Sequence, residues 1–344
     1  MNSLIPGFGL IFFSAVCGGA FALPLRLRKR FEVENTMLVA FGFATIIIPL
    51  ITASFFLPNW TQAISDTPSE RILLVMALGF GWGIGGVTMA LGINTIGMSI
   101  TYATVMGLST VVGSVIPMLR HWDAIPEAAK MWTFIGIAIC VIGVIFCGRA
   151  GYLREKDAQI TEEASVRKKN ISIFVLGFLA CVVSGFLSAC ANIGFDQAQP
   201  IIDKMEQLGA QPKFATLGGW MAMYWGGYLA MLIVFGSAIV RKKTLKNYTG
   251  AGAARDLILA VCMGLLHYLA QIPYGVGASY IGPELGRTVG WAVCVASSLI
   301  VANLLGFGTG EWKKATAGSK NVLYLGLSVL IIAMICLAYA NSNV

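Results

Sequence analysis

The sequence predicts an all-α polytopic membrane protein with ten transmembrane helices, arranged as two inverted five-helix repeats. Hydrophobic residues make up 57% of the 344 residues and charged residues only 12%, whereas about a quarter of the residues in a soluble protein are charged. The charged residues cluster between long apolar runs, and the longest charged stretch separates two sets of five runs. Each run has the roughly 20 residues that a helix needs to cross about 30 Å of hydrocarbon.

The apolar runs define ten predicted spans, numbered in chain order. They cover residues 4–25, 36–57, 71–93, 98–119, 131–149, 171–194, 213–240, 256–279, 283–307 and 320–340. Span 1 is kept as a true span because its basic cluster follows it, the reverse of the order in a cleavable signal peptide. Only residues 94–97 separate spans 3 and 4, and only 280–282 separate spans 8 and 9. Both junctions contain Ile-Gly, which favours a tight hairpin.

The basic residues predict the orientation of the chain. Of the 24 Lys and Arg, 18 lie in the loops that follow odd-numbered spans, and cytoplasmic loops carry such an excess. Those loops are therefore predicted to be cytoplasmic and both termini extracytoplasmic. The net charge of +8 is explained as a topology signal, so the sequence gives no reason to expect nucleic-acid binding.

The charged stretch between spans 5 and 6 predicts the organisation of the chain. We expect a first repeat at residues 1–150, a cytoplasmic linker at 151–170 and a second repeat at 171–344. Because five is an odd number, a duplicated half enters the membrane in the opposite direction, as in many secondary transporters.

Span 6 carries a polar stripe formed by Ser184, Ser188, Asn192 and Asp196, which recur every four residues and share one helix face. One interpretation is packing, in which hydroxyls and amides bond neighbouring helices for about 1 kcal/mol each. The other is a binding surface, which is more attractive for Asn192 and Asp196 because they have more hydrogen-bonding groups to satisfy.

Span 8 places His267, Gln271 and Tyr274 on one face, beside Pro273. A proline that breaks the helix next to a polar face is typical of a midplane binding site. His267 is a candidate for proton transfer because its ordinary pKa is near neutral; the alternative is a neutral histidine hydrogen-bonded to Gln271 or to another helix.

Span 9 begins with Glu284 and Arg287, three residues apart and so on one face. The pair either forms a structural ion pair near the membrane boundary or responds to protons.

A second group of candidates is aromatic, and it would form the walls of a sugar site between rings and amides. Its members are Trp82, Tyr102, Trp220, Tyr224 and Tyr268.

Several catalytic patterns are missing from the sequence. There is no phosphate-binding loop, no zinc motif and no nucleophile elbow. The eight cysteines lie within apolar runs without ligand-like spacing, so they are interpreted as packing residues. We therefore expect neither an enzyme, a metal site nor a cofactor.

The chain resembles the L-rhamnose–proton symporter family of the drug/metabolite transporter superfamily along nearly its whole length. The similar segments are Leu57-Pro58-Asn59-Trp60, Trp82-Gly83-Ile84-Gly85, Gly97-Met98-Ser99, Arg149-Ala150-Gly151 with Leu153 and Glu155, Tyr268-Leu269 with Tyr274, and Glu311-Trp312. The likeness is loosest on the polar face of span 6 and around 283–288, where Arg287 departs from the acid expected in rhamnose carriers.

The resemblance implies a multi-pass protein of the bacterial inner membrane in which a proton gradient drives uptake of a deoxysugar. With the polar faces, it suggests a cavity lined by the residues named above, including Ser188, and proton coupling through Asp196, His267 or Glu284 with Arg287. The expected partners are a small sugar, H⁺ and the lipid bilayer. The alternatives are a metabolite or drug exporter of the same superfamily, a passive channel and a membrane-embedded enzyme.

Overall fold

The computed structural model describes residues 4–96, 98–161, 171–310 and 312–342. Within them, ten helical segments are long and apolar enough to cross a membrane, which confirms the predicted fold class. The observed spans are Leu4–Leu25, Val33–Phe56, Ser69–Gly92, Thr101–Arg120, Glu127–Arg154, Val175–Gln207, Pro212–Arg241, Ala253–Ile281, Leu285–Gly308 and Ala317–Ala340. Hydropathy alone therefore located every span.

The spans are built from straight and interrupted helices. The α-helices are Leu4–Ala20, Leu23–Leu27, Val33–Gly42, Ile48–Phe56, Trp60–Asp66, Ser69–Ile96, Met98–Arg120, Glu127–Thr161, Ile171–Gln197, Gln199–Gln207, Pro212–Met231, Ser237–Arg241, Ala253–Ile281, Pro283–Gly308 and Ala317–Ser342. Spans 2 and 7 each contain a π-helical turn, at Phe43–Ile47 and Leu232–Gly236. The tight junction between spans 8 and 9 is confirmed, because Gly282 alone separates the two helices and has φ +119°, a conformation that glycine adopts readily.

The first part of the predicted linker is helical, because the helix of span 5 continues to Thr161. On this extension Asp157 accepts two hydrogen bonds from Thr316, one from its backbone N–H at 2.8 Å and one from its side-chain hydroxyl at 3.0 Å. It accepts a third from the Ser319 hydroxyl at 2.6 Å. These bonds, that from Ser319 foremost, hold the pKa of Asp157 below its usual value. Thr316 itself caps the helix of span 10, since the Ser319 N–H donates to its Oγ1 at 3.3 Å, and Asp157 fixes this cap in place. Residues 162–170 of the predicted linker lie outside the described residues.

The chain divides into two compact units. Unit 1 comprises Met1–Ile84 and Cys190–Pro283, and unit 2 comprises Gly85–Ala189 and Glu284–Val344. Each unit combines chain from before and after the linker. The predicted repeats, 1–150 and 171–344, are a different division, and their inverted relationship stays a prediction.

Unit 1 packs spans 3 and 7 through glycine. A side chain at Gly79 would overlap the backbone carbonyl of Met223, and one at Gly226 would overlap that of Met76. Small residues allow membrane helices to approach at backbone distance. This close crossing brings Trp82, whose ring lies against Gly227, next to the polar face of span 7.

A buried carboxylate holds the turn after span 1 in unit 1. Asp256, 1% exposed, accepts hydrogen bonds from the backbone N–H groups of Lys29 at 3.1 Å, Arg30 at 2.6 Å and Phe31 at 2.8 Å. Charge-assisted bonds of this kind are about twice as strong as neutral ones, so the start of span 8 is fixed to the end of span 1.

Unit 2 has an apolar core between spans 5 and 10, which includes Cys140, Val144 and Leu330. Two of its polar side chains are satisfied by contacts between helices. Ser184 of span 6 donates to the Gly85 carbonyl at 2.7 Å, and Trp291 Nε1 donates to the Ser109 carbonyl at 3.1 Å. For Ser184 the packing interpretation is therefore the right one.

Candidate functional site

Span 7 carries a stripe of buried polar side chains in unit 1. Thr216, Trp220 and Tyr224 recur every four residues, so they share one face of the helix. Trp220 and Tyr224 are fully buried and Thr216 is 1% exposed. Within the described part of the protein, Thr216 Oγ1, Trp220 Nε1 and the Tyr224 hydroxyl have no hydrogen-bond partner. Buried polar groups are nearly always paired, so this face of span 7 is a candidate surface for binding a polar ligand.

Span 8 carries a matching stripe. His267 and Gln271 lie one helical turn apart, and among the described residues neither His267 Nε2 nor Gln271 Oε1 has a hydrogen-bond partner. Tyr274, on the same face, donates to Asn192 Oδ1 of span 6. A hydrogen bond between His267 and Gln271 is one alternative that the sequence leaves open, but neither His267 Nε2 nor Gln271 Oε1 takes part in such a bond.

His267 is enclosed by aromatic rings. Trp82 stacks on it, with 5.4 Å between ring centroids and 17° between planes. Phe41, Phe21 and Tyr224 lie at 4.7, 5.8 and 6.3 Å. Spans 1, 2, 3 and 7 therefore each place one ring against the imidazole.

A second aromatic group surrounds Trp220. Phe195 of span 6 stacks on its indole at 4.7 Å and 14°, and Tyr274 meets it edge-on at 6.3 Å. Tyr224 links the two groups, since it lies 5.7 Å from Trp220 and 6.4 Å from Tyr268. The Tyr268 hydroxyl is already paired with Thr52 Oγ1 at 2.7 Å. Tyr268 thus supports the wall, while Tyr224 offers a free hydroxyl.

The orphaned atoms form a mixed set of hydrogen-bonding groups. Trp220 Nε1 only donates, Gln271 Oε1 only accepts, and the Thr216 and Tyr224 hydroxyls do both. His267 Nε2 does either, according to its protonation. None of these side chains carries a fixed charge, and they stand among ring faces. The chemistry suits a neutral ligand that has several hydroxyl groups and an apolar face.

Nine of the thirteen predicted site residues belong to unit 1. Those in unit 1 are Trp82, Asn192, Asp196, Trp220, Tyr224, His267, Tyr268, Gln271 and Tyr274. Asp196 is 2% exposed and lies at the end of the helix Ile171–Gln197. Tyr102, Ser188 and Arg287 belong to unit 2, where Arg287 is 3% exposed. The side chain of Glu284 lies outside the described residues.

The prediction that Pro273 breaks the helix of span 8 is wrong. Ala253–Ile281 is one continuous helix with Pro273 inside it. Transmembrane helices tolerate an interior proline because neighbouring groups satisfy the backbone that it frees. Here the Ser14 hydroxyl of span 1 donates to the Ala270 carbonyl, three residues before the proline. Span 1 therefore supports the helix next to the Leu269 carbonyl, which is the one that Pro273 leaves without a donor.

Sequence reasoning missed Thr216 and the rings of Phe21, Phe41 and Phe195. The spacing of Thr216, Trp220 and Tyr224 was a usable signal, because it is the same four-residue repeat that identified the span 6 stripe. The three phenylalanines carry no such signal, since nothing in an apolar span distinguishes a ring that faces a site from one that faces lipid.

Comparison with known proteins agrees with this chemistry. The sequence model of the family described as "L-rhamnose-proton symport protein (RhaT)" matches residues 1–341. A Citrobacter koseri protein named L-rhamnose-proton symporter is 26% identical over 344 residues, and proteins of that name from Escherichia coli O1:K1 and Cronobacter sakazakii are 26% and 24% identical over 341 and 343 residues. Each alignment covers 96% of both chains. The exporter, channel and enzyme alternatives gain no support from these matches. This chain belongs to the L-rhamnose-proton symport protein family, a family of membrane transporters.

Proposed function

We propose that this protein is a proton-coupled symporter that imports L-rhamnose or a related small sugar by alternating access. The observation that carries the proposal is the pair of stripes on spans 7 and 8, in which five buried polar atoms have no partner among the described residues. An unpaired buried polar group costs about 1–3 kcal/mol. A sugar whose hydroxyls reach these atoms removes that cost, so the stripes favour a polyhydroxylated substrate.

The rings supply the other half of the recognition. A 6-deoxysugar has a methyl group and C–H faces that pack against aromatic rings, while its hydroxyls point outward around the pyranose ring. Trp220 and Tyr224 each present a ring face and a polar atom on the same face of span 7. We therefore place the sugar in unit 1, against span 7, with Gln271 accepting from a hydroxyl.

We assign the proton first to His267. The described rings around it include one other titratable group, Tyr224. An imidazolium gains cation–π attraction from these rings, but its Nε2–H still needs an acceptor, and a sugar hydroxyl supplies one. Proton and sugar then raise each other's affinity by the same factor. Asp196, and Glu284 with Arg287 in span 9, are the next candidates.

The proposed topology places both termini on the extracytoplasmic side of the bacterial inner membrane. It rests on the excess of Lys and Arg in the loops after odd-numbered spans. Two inverted repeats, 1–150 and 171–344, supply the two elements that rock against each other in alternating access.

The test is uptake of radiolabelled L-rhamnose into proteoliposomes with an imposed pH gradient, acidic on the side of sugar addition. We expect accumulation that a protonophore abolishes and that unlabelled L-rhamnose competes away. Uptake that persists unchanged after the gradient collapses would contradict proton coupling, and sugar-independent efflux of aromatic compounds would contradict the sugar assignment.

Two variants test the site itself. Trp220→Phe keeps an aromatic ring and removes the Nε1–H donor, so KM should rise about three- to tenfold, the equivalent of one neutral hydrogen bond. Trp132→Phe is the matched control, because Trp132 lies in unit 2 against Tyr339, at 5.0 Å between centroids. Equal KM values for the two variants would show that the span 7 face does not bind the sugar.

His267→Gln tests the proton assignment. Sugar affinity of the wild-type protein should rise as the pH falls, whereas that of the variant should not depend on pH. An unchanged pH profile would move the assignment to Asp196.

A further inference from the structure

A groove lies between spans 4 and 5 of unit 2, on helices other than those that carry the proposed sugar site of unit 1. Its volume is about 350 Å³, and its lining residues are Ala103, Thr104, Ile145, Gly148, Arg149 and Tyr152. Arg149 is exposed and follows the long apolar stretch of the helix Glu127–Thr161. The groove therefore lies where the hydrocarbon of a bilayer gives way to its headgroups.

The polar groups of this groove are free to bind a ligand. Within the part of the chain that the structure describes, Arg149, Tyr152 and Thr104 make no hydrogen bond or ion pair through their side chains. A guanidinium with two neighbouring hydroxyls matches a phosphate diester, since guanidinium binds phosphate oxygens through parallel N–H bonds. The groove thus offers one positive charge and two hydroxyl groups to an anion.

An apolar track leads along the helix to Arg149. Ile135, Ile142 and Ile145 are 38%, 48% and 57% exposed. With Arg149 and Tyr152 they follow spacings of seven, three, four and three residues, so all five share one face. The length of this face, at 1.5 Å per residue, is about 25 Å, which matches an extended acyl chain with its headgroup.

We propose that this groove binds an anionic glycerophospholipid, with the phosphate on Arg149 and Tyr152 and one acyl chain along Ile142 and Ile145. A second copy of the protein fits this surface less well, because a partner helix packed on the track would cover Arg149 without neutralising it. A lipid supplies both the apolar chain and the opposite charge.

The experiment compares lipid binding by purified protein in detergent, measured by native mass spectrometry and by thermal unfolding. Phosphatidylglycerol should remain bound and raise the Tm. Phosphatidylcholine at the same mole fraction should do so more weakly, because its choline cation competes with Arg149 for the phosphate diester, and inorganic phosphate alone should do neither. Arg149→Gln should weaken phosphatidylglycerol binding at least tenfold, and Tyr152→Phe about threefold. Lys156→Gln is the matched control, because Lys156 is exposed on the same helix but does not line the groove.

Each other result overturns the proposal. If Arg149→Gln and Lys156→Gln retain phosphatidylglycerol equally, the groove is not the lipid site. If inorganic phosphate alone reproduces the stabilisation, the ligand is a free anion. If Arg149→Gln changes the mass from a dimer to a monomer without changing lipid retention, the face is an interface between copies.

Discussion

Two tyrosines of the site allow a matched test of the orphaned stripe. Tyr224 is fully buried, and its hydroxyl has no partner among the described residues. Tyr268 lies 6.4 Å away between ring centroids, and its hydroxyl is hydrogen-bonded to Thr52 Oγ1 at 2.7 Å. Replacing either residue with Phe removes one oxygen atom and keeps the ring. The two variants therefore differ only in whether the lost hydroxyl was paired.

The expected changes in stability have different signs. Tyr268→Phe breaks a hydrogen bond, so it should lower the free energy of unfolding by about 0.5–1.5 kcal/mol. Tyr224→Phe removes a buried polar atom that costs about 1–3 kcal/mol when unpaired, so it should leave stability unchanged or raise it. At about 2 °C per kcal/mol or slightly more, thermal unfolding followed by tryptophan fluorescence resolves the difference in sugar-free detergent solution.

Sugar binding by the same variants should reverse the order. Tyr224→Phe should lose about tenfold in affinity for L-rhamnose, measured from the sugar-dependent rise in Tm, while Tyr268→Phe should bind as the wild-type protein does. If Tyr224→Phe instead destabilises the sugar-free protein as much as Tyr268→Phe and keeps its affinity, the hydroxyl serves packing and the reasoning fails.

Three further substitutions test contacts within the site and within each unit. Gly275→Ala should lower stability by about 1–3 kcal/mol and weaken sugar binding, because its methyl group would overlap the Trp220 indole nitrogen; Gly9→Ala, which meets nothing within 4 Å, should change neither in the same melting and binding assays. Asp256→Asn should cost about 1.5–3 kcal/mol, since it weakens charge-assisted bonds to three backbone N–H groups, and a wild-type Tm would refute this. Asp157→Asn should lower the Tm at neutral pH, and its difference from wild type should shrink as the pH falls below the ordinary pKa of an aspartate. Hydrogen bonding, foremost from Ser319, lowers the folded-state pKa of Asp157, so its contribution is present above its ordinary pKa and lost as the pH falls through the folded value.

The spans were predictable because the cost of crossing a bilayer is a local property of the sequence. Every apolar run became a helix, and the Ile-Gly junction before Pro283 became a tight turn at Gly282. The charged residues between spans 5 and 6 were a poorer guide to local structure. Residues 151–161 were expected in a linker, yet they extend the helix of span 5, because Asp157 finds N–H and hydroxyl donors at the start of span 10. Such a partner, about 160 positions away in the chain, leaves no mark in a hydropathy profile.

The site was predictable to the extent that it follows helical periodicity. His267, Gln271 and Tyr274 share a face because of their spacing alone, and so do Trp220 and Tyr224. Periodicity could not tell that Tyr268 is satisfied by Thr52 while Tyr224 is unpaired, because that depends on which helix lies opposite. For the same reason the proline in span 8 was misjudged, since the support that span 1 gives to its helix is a tertiary contact.

The orphaned stripe also bears on how a carrier of this kind releases its cargo. Five polar atoms at about 1–3 kcal/mol each would cost about 5–15 kcal/mol if they stayed dry, which equals the whole stability of a typical domain. The sugar-free protein carries part of that cost, and a ligand with several hydroxyl groups relieves it. The sugar gives up its own hydrogen bonds to water as it binds, so the net gain is only about 0.5–1.5 kcal/mol for each bond formed. Thr216, Trp220 and Tyr224 therefore select a polyhydroxylated solute by the penalty for leaving them unpaired, while binding stays weak enough for the sugar to leave on the other side of the membrane.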